Sequence, residues 1–181
     1  MEFPKGKKYS IIYSDPPWAY RDRRDKHPRL CGGASAHYKT MKTDEIMQLP
    51  VEEIAADDAF LFIWAKFPNL PEAFRVIDGW GFSYRTSAFV WIKTNKKNGK
   101  PFFGIGHYTK SNAEVCLLAI RGRPKVVSNY VSSVIISPRE EHSKKPDESR
   151  DRIVQLCGDL PRIELFARQR VSGWDCWGLG V

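Results

Sequence analysis

Asp15-Pro16-Pro17-Trp18 is the group of residues in this chain whose types and order best suit covalent chemistry. An amine attached to an aromatic ring is a poor nucleophile, because its lone pair is delocalised into the ring. A carboxylate accepting one N–H bond and a backbone carbonyl accepting the other would draw electron density onto the nitrogen. The two acceptors would also hold the amine in line with an incoming electrophile. Asp15 supplies the carboxylate and Pro16 the carbonyl, while the Pro16 and Pro17 rings restrict the backbone around them. Trp18 adds a flat face on which an aromatic base can stack. Positioning of this kind contributes roughly 7–11 kcal/mol to a barrier in well-oriented systems. The competing reading is an ordinary proline turn with a packed tryptophan.

Charge surrounds this group. The 181 residues carry a net charge of +8, a balance that suits a polyanionic partner. Arg21, Arg23, Arg24, Lys26 and Arg29 follow the Asp-Pro-Pro-Trp group closely. Lys93, Lys96, Lys97 and Lys100 form a second cluster, and Arg121, Arg123 and Lys125 a third. Both of the first two clusters read as loops that grip a nucleic-acid backbone, with Arg21, Arg23 and Lys93 as contacts. No metal is expected. Cys31, Cys116, Cys157 and Cys176 are scattered, without the short paired spacing of a zinc site, and read as reduced thiols.

The elements that must position these residues follow from pattern. Tyr9–Tyr13 is a short apolar, β-branched run ending before Pro16, hence a strand with Asp15 at its carboxyl end. Residues 20–40 are polar, basic and rich in Gly and Pro, which reads as a long loop. Thr43 is the expected N-cap of a helix reaching Leu49, with a second turn from Pro50. Ala59–Ala65 reads as a strand buried on both faces, and Leu70–Asp78 as a helix closed by Gly79. Phe82–Lys93, Glu114–Ile120 and Val134–Ser137 read as strands, with residues 94–112 a second basic loop. Pro146 opens a helix that Gly158 closes, and Arg162–Phe166 is the expected last strand. Strands alternate with helices, and most strands are apolar throughout. The fold class is therefore an α/β sandwich on a mostly parallel sheet, with ligands beyond the carboxyl ends of the strands. Residues 1–181 read as one domain, large enough for a core. Met1–Lys8 lacks the apolar stretch of a signal peptide and no run reaches membrane-span length, so the expected compartment is cytoplasmic and no membrane partner is expected.

The chain resembles the MT-A family of N6-adenine methyltransferases. Asp15-Pro16-Pro17-Trp18 matches its catalytic motif. Further blocks follow in family order: Tyr38-Lys39-Thr40-Met41, Phe60-Leu61-Phe62-Ile63-Trp64, Trp91-Ile92-Lys93-Thr94-Asn95, Lys145-Pro146-Asp147-Glu148 and Ile163-Glu164-Leu165-Phe166-Ala167-Arg168. The resemblance covers nearly the whole chain. It implies a Rossmann-like methyltransferase sandwich with circularly permuted motif order, and S-adenosylmethionine as cofactor. It implies that Asp15 and Lys145 hold the cofactor, Lys145 at its carboxylate. Glu164, Phe166 and Arg168 take its ribose and adenine region, and Tyr38 lies near the target base. A lysine beside a helix N-terminus suits a carboxylate, and an acid at a strand end can accept ribose hydroxyl bonds. Leu179 stands where relatives commonly carry an asparagine that contacts the cofactor. The glycines of Phe102-Phe103-Gly104-Ile105-Gly106 lack a strand before and a helix after, so they read as part of a substrate-side loop.

The resemblance to small phage and bacterial members makes DNA the first polymer, with RNA second. Either must present an unstacked adenine, at a cost of a few kcal/mol. With no room for a separate recognition domain, the expected target site is short or relaxed. A catalytically silent nucleic-acid-binding subunit is the third reading, which the intact Asp15 disfavours. A nicotinamide-dependent oxidoreductase lacks the required GxGxxG. The resemblance also suggests pairing of subunits, a homodimer being the simplest form.

Overall fold

A computed structural model describes residues 2–19, 40–104, 108–140, 144–178 and 180–181. Seven strands form one sheet: β1 (Tyr9–Ser14), β2 (Ala55–Ala65), β3 (Ser83–Thr94), β4 (Ala113–Arg121), β5 (Val134–Pro138), β6 (Arg162–Leu165) and β7 (Asp175–Trp177). Their spatial order is β5-β3-β4-β2-β1-β6-β7. Four of the pairings are parallel, and only β4 runs against both its neighbours. The sheet is thus mixed and mostly parallel. β1 and β6 come from opposite ends of the chain and lie side by side, Tyr13 opposite Glu164.

The alternation along β2 explains its unbroken apolar sequence. Leu61, Ile63 and Ala65 face one core, and Phe60, Phe62 and Trp64 face the other. The first core is closed by helices α1 (Thr43–Met47), α2 (Val51–Ile54) and α3 (Leu70–Gly79), through Ile46, Val51, Ile54, Ala73, Val76 and Ile77. The second is closed by α4 (Glu148–Cys157), through Ile153 and Cys157. Each fully buried side chain of this size contributes roughly 1.5–3 kcal/mol, so a strand buried on both faces ties the two helical layers together.

Several boundaries differ from the sequence reading, β2 for example starting at Ala55 rather than Ala59. Lys42, not Thr43, is the N-cap of α1, and the Glu45 carboxylate accepts its backbone N–H at 2.7 Å. The α3 helix runs through Gly79. Trp80 is its C-cap, and Gly81 follows with a φ of +76° that lets Gly81 and Phe82 donate back to the Asp78 and Ile77 carbonyls. Beyond Arg162–Leu165 lies a further strand, β7, pairing in parallel with β6. Among the described residues no helix is long and apolar enough to cross a membrane.

Candidate active site

The parallel strands β1, β2, β3, β5, β6 and β7 all end on one edge of the sheet, and antiparallel β4 begins there. Asp15 follows β1 on this edge, Lys93 lies near the end of β3, and Glu114 near the start of β4, opposite Trp91. Lys145 reaches the same place from the segment between β5 and α4. Its ammonium lies 2.8 Å from Asp15 Oδ1 and 3.2 Å from Glu114 Oε2. Lys93 Nζ lies 2.5 Å from Glu114 Oε1. The result is an alternating series, Asp15–Lys145–Glu114–Lys93, whose side chains are between 6% and 18% exposed.

The electrostatics follow from the order of signs. Burial alone would raise the Glu114 carboxyl, but Lys145 and Lys93 on either side hold it down to about 2. Burial pulls the Lys145 ammonium down, yet Asp15 and Glu114 outweigh it and lift its pKa above the ordinary lysine value. Lys93 moves downward, because burial and the nearby Lys145 charge outweigh its one carboxylate. Two tryptophans enclose the series. Lys145 Nζ stands 5.7 Å from the Trp64 ring centroid and Lys93 Nζ 5.1 Å from that of Trp91. The two rings meet edge to face at 6.4 Å.

The backbone of the Asp15 loop is held at several points. Trp18 N–H donates to the Pro16 carbonyl at 2.9 Å, and the Pro17 carbonyl accepts the Met41 N–H at 2.8 Å. Ala19 N–H donates to the Met41 carbonyl at 3.0 Å, so the chain on either side of residues 20–39 is joined at its base. Trp18 is only 7% exposed, and its Nε1 donates to the Trp64 carbonyl at 2.9 Å. The indole packs against the core and fixes the path of the loop.

A second cluster lies on the same face of β1 and β6. Arg150 of α4 grips Glu164 with two bonds, of 2.7 and 3.0 Å, and Asp147 with a third of 2.7 Å. Its guanidinium stands 5.7 Å from the Tyr13 ring. The Tyr13 hydroxyl accepts the Trp64 Nε1–H at 2.7 Å. Glu164 therefore enters a buried arginine pair rather than a surface one. Phe166, just beyond β6, has a φ of +62°, a rare conformation for a bulky residue. The Ala167 N–H donates to the Trp177 carbonyl, and Gly178 lies so close to Ala167 that a Cβ there would collide with its backbone. Arg168 is exposed, with Gly180 against its backbone.

Asp15, Lys93 and Lys145 thus come together as one buried series. Lys93 is tied to Glu114, while Lys96, Lys97 and Lys100 are exposed. Lys145 is neither solvated nor isolated. Arg21, Arg23, Tyr38 and Leu179 lie outside the described residues, as do Cys31 and the Ile105-Gly106 part of the glycine pattern. Gly104 is described: its N–H donates to the Ser111 carbonyl, against which a Cβ would collide. Glu114 and Arg150 were not foreseen. A single acid heading the apolar run Val115–Ile120 was the available signal for Glu114. Among the described residues no group of three or more His, Cys, Asp or Glu side chains could hold a metal.

Comparison with known proteins identifies the family. The MT-A70 family profile matches residues 9–180. The chain is 36% identical to the type II methyltransferase M.MunI of Mycoplasma sp, over 97% of this chain and 78% of that protein. It is 29% identical to the N(6)-adenosine-methyltransferase MT-A70-like protein of Arabidopsis thaliana, over 92% of this chain but 23% of that one. It is 29% identical to the non-catalytic subunit METTL14 of Drosophila melanogaster, over 93% of this chain and 45% of the relative. The chain therefore spans less than half the length of these two eukaryotic relatives.

Proposed function

The chain belongs to the MT-A70 family, and on that premise we propose that it transfers a methyl group from S-adenosylmethionine to the exocyclic amine of adenine in DNA, residues 1–181 acting as a single methyltransferase domain. The observation that carries this reading is Asp15, held by the buried Lys145 at the carboxyl edge of β1. One acceptor for the amine is the Asp15 carboxylate. The other is the Pro16 carbonyl, which keeps a lone pair after accepting the Trp18 N–H. Together they orient the nitrogen and stabilise the positive charge that develops on it.

The residues present fit the cofactor. Asp15 and Lys145 place a carboxylate and an ammonium 2.8 Å apart, the two signs that a zwitterionic amino-acid end requires. The Ser14 hydroxyl, one residue before Asp15 at the end of β1, is fully buried and has no hydrogen-bond partner among the described residues, a group that a polar ligand can satisfy. When bound, S-adenosylmethionine supplies an electrophilic methyl group. Lys145 would hold its carboxylate, with Glu114 tethering the ammonium. Glu164, Phe166 and Arg168 would take the ribose and adenine end, Glu164 using the acceptor capacity that Arg150 leaves.

The preference for DNA is supported by the likeness to a bacterial type II methyltransferase over most of both chains. RNA stands second, because the eukaryotic adenosine methyltransferases match over only a small part of their length. Exposed Lys96, Lys97 and Lys100 beyond the sheet edge suit backbone contacts. Pairing of subunits belongs to the same reading, supported by relatives named as non-catalytic subunits, with a homodimer as its simplest form.

The test is incubation with labelled S-adenosylmethionine and matched single-stranded DNA, duplex DNA or RNA. DNA is expected to take the label, and Asp15→Ala to lower it by at least about 10²-fold. Equal labelling by Asp15→Ala would overturn the catalytic role. Labelling of RNA alone would reverse the polymer, and no labelling of any polymer at low salt would point to a silent subunit.

A further inference from the structure

We propose that Lys93 is a positioning residue of the methyl-transfer site, acting through Glu114 on Lys145, and not a contact to the nucleic-acid backbone. The inference rests on the reading of Asp15 and Lys145 given above.

A lysine that grips phosphate must present its ammonium to solvent. Lys93 does not: its side chain is 15% exposed and its ammonium is held between Glu114 Oε1 and the Trp91 face. Lys96, Lys97 and Lys100, a few residues on, are exposed. The two kinds of lysine are separated by their place on β3. Lys93 still pairs within the sheet, opposite Ser137 of β5, whereas the other three lie beyond its end.

The charge count gives Lys93 its role. Asp15, Glu114, Lys145 and Lys93 amount to two carboxylates and two ammoniums, a neutral group that burial tolerates. Without Lys93, two buried carboxylates share Lys145. Glu114, then facing Lys145 with Lys66 as a further cation acting on it, would draw the Lys145 ammonium towards itself and away from Asp15. The Trp64 ring, 5.7 Å from Lys145 Nζ, lies on a further side of the ammonium. Lys93 thus sets how Lys145 is divided between Glu114 and Asp15. The groups that act on Glu114 are Lys93 from β3, Lys145 from the segment before α4, and Lys66 after β2. Asp15 lies beyond Lys145, with buried Cys116 of β4 next to it.

The experiment compares wild-type, Lys93→Met and Lys93→Arg in three measurements. The first is the carboxyl ¹³C titration of Glu114, assigned with Glu114→Gln. The second is S-adenosylmethionine affinity by calorimetry. The third is methyl transfer to DNA over a range of salt. In Lys93→Met the Glu114 midpoint should rise by about one unit or more. Cofactor affinity and kcat should each fall at least about tenfold, while KM for DNA and its salt dependence stay as in wild-type. Lys93→Arg should recover most of each loss. A phosphate contact would instead lower the slope of log affinity against log salt by about 0.9 and leave kcat and the Glu114 midpoint in place; that result overturns the proposal. An unmoved midpoint overturns it even in a protein that transfers no methyl group. A moved midpoint and weakened cofactor binding, in a wild-type protein that labels no polymer, would strike the proposed reaction and support the role of Lys93.

Discussion

At the carboxyl edge of the sheet, the Arg150 fork and the Lys145 series hold similar charges in different ways. Arg150 meets Glu164 with two nearly parallel bonds and Asp147 with a third, so its planar guanidinium has one arrangement. It joins α4 to β6 and crosses the Tyr13 ring. Lys145 is a compact charge on a flexible stem, shared between Asp15 and Glu114 at 2.8 and 3.2 Å. A small movement redistributes it between the two. The difference separates a fixture from a working part: the arginine sets where the strand ends lie, and the lysine can shift when a ligand arrives.

The largest expected effect tests the fixture. Arg150→Met removes the guanidinium and leaves Glu164, 7% exposed, without its partner. Loss of one member of a buried pair costs about 3–5 kcal/mol. Urea unfolding at pH 7 should show a loss of that size. A loss below about 1 kcal/mol would mean that Glu164 finds water or another cation, and that the fork is not structural.

The next effect tests the series through pH. The Glu114 carboxyl falls from an ordinary 4.5 to about 2 in the folded chain. Because the folded value is depressed, its stabilisation is complete above about pH 4.5 and is lost as pH falls towards 2. The full contribution is on the order of 3 kcal/mol. Lys145 moves the other way: its contribution is complete below its ordinary value and is lost only in strong alkali. The stability difference between wild-type and Glu114→Gln should therefore shrink between pH 5 and pH 3, with other carboxylates cancelling in the subtraction. A difference independent of pH would show that Glu114 titrates as if exposed.

The two clusters were also unequally legible in the sequence. Asp15 announced itself, because a carboxylate before two prolines at the end of an apolar strand has few other uses. Lys145 was placed by the helix signal around Pro146 and by resemblance. Its partners were not legible, since a lone Glu114 at the head of a strand reads as a surface charge until topology turns β4 against its neighbours. Helix α4 carries Arg150 and Arg152 within one turn, and although the spacing to Ile153 and Cys157 puts Arg150 on the core-facing side, it does not say which acid Arg150 meets on β6. Strand β7 has three residues, too few for a period, and exists because its backbone pairs with β6. The long strands, the two cores and the end of α4 at Gly158 were legible because periodicity and left-handed glycine act within one element. Pairings that cross from one element to another depend on the topology that brings them together.

The smallest effect belongs to the neighbour of Lys145. Lys144 forms two ion pairs, with Glu140 at 2.6 Å and Asp147 at 2.7 Å, so by distance it equals the buried series. Its setting differs: those two carboxylates are 50% and 52% exposed. Water already solvates them, and Asp147 retains Arg150 as a second partner. Exposed pairs contribute about 0–1 kcal/mol. Lys144→Met should therefore cost less than about 1 kcal/mol in urea unfolding, and the cost should fade in 1 M salt, where charges are screened beyond about 3 Å. A cost above about 2 kcal/mol that survives such salt would show that this segment before α4 is held by its charges wherever they lie. In that case burial would no longer distinguish Lys145 from the residue beside it.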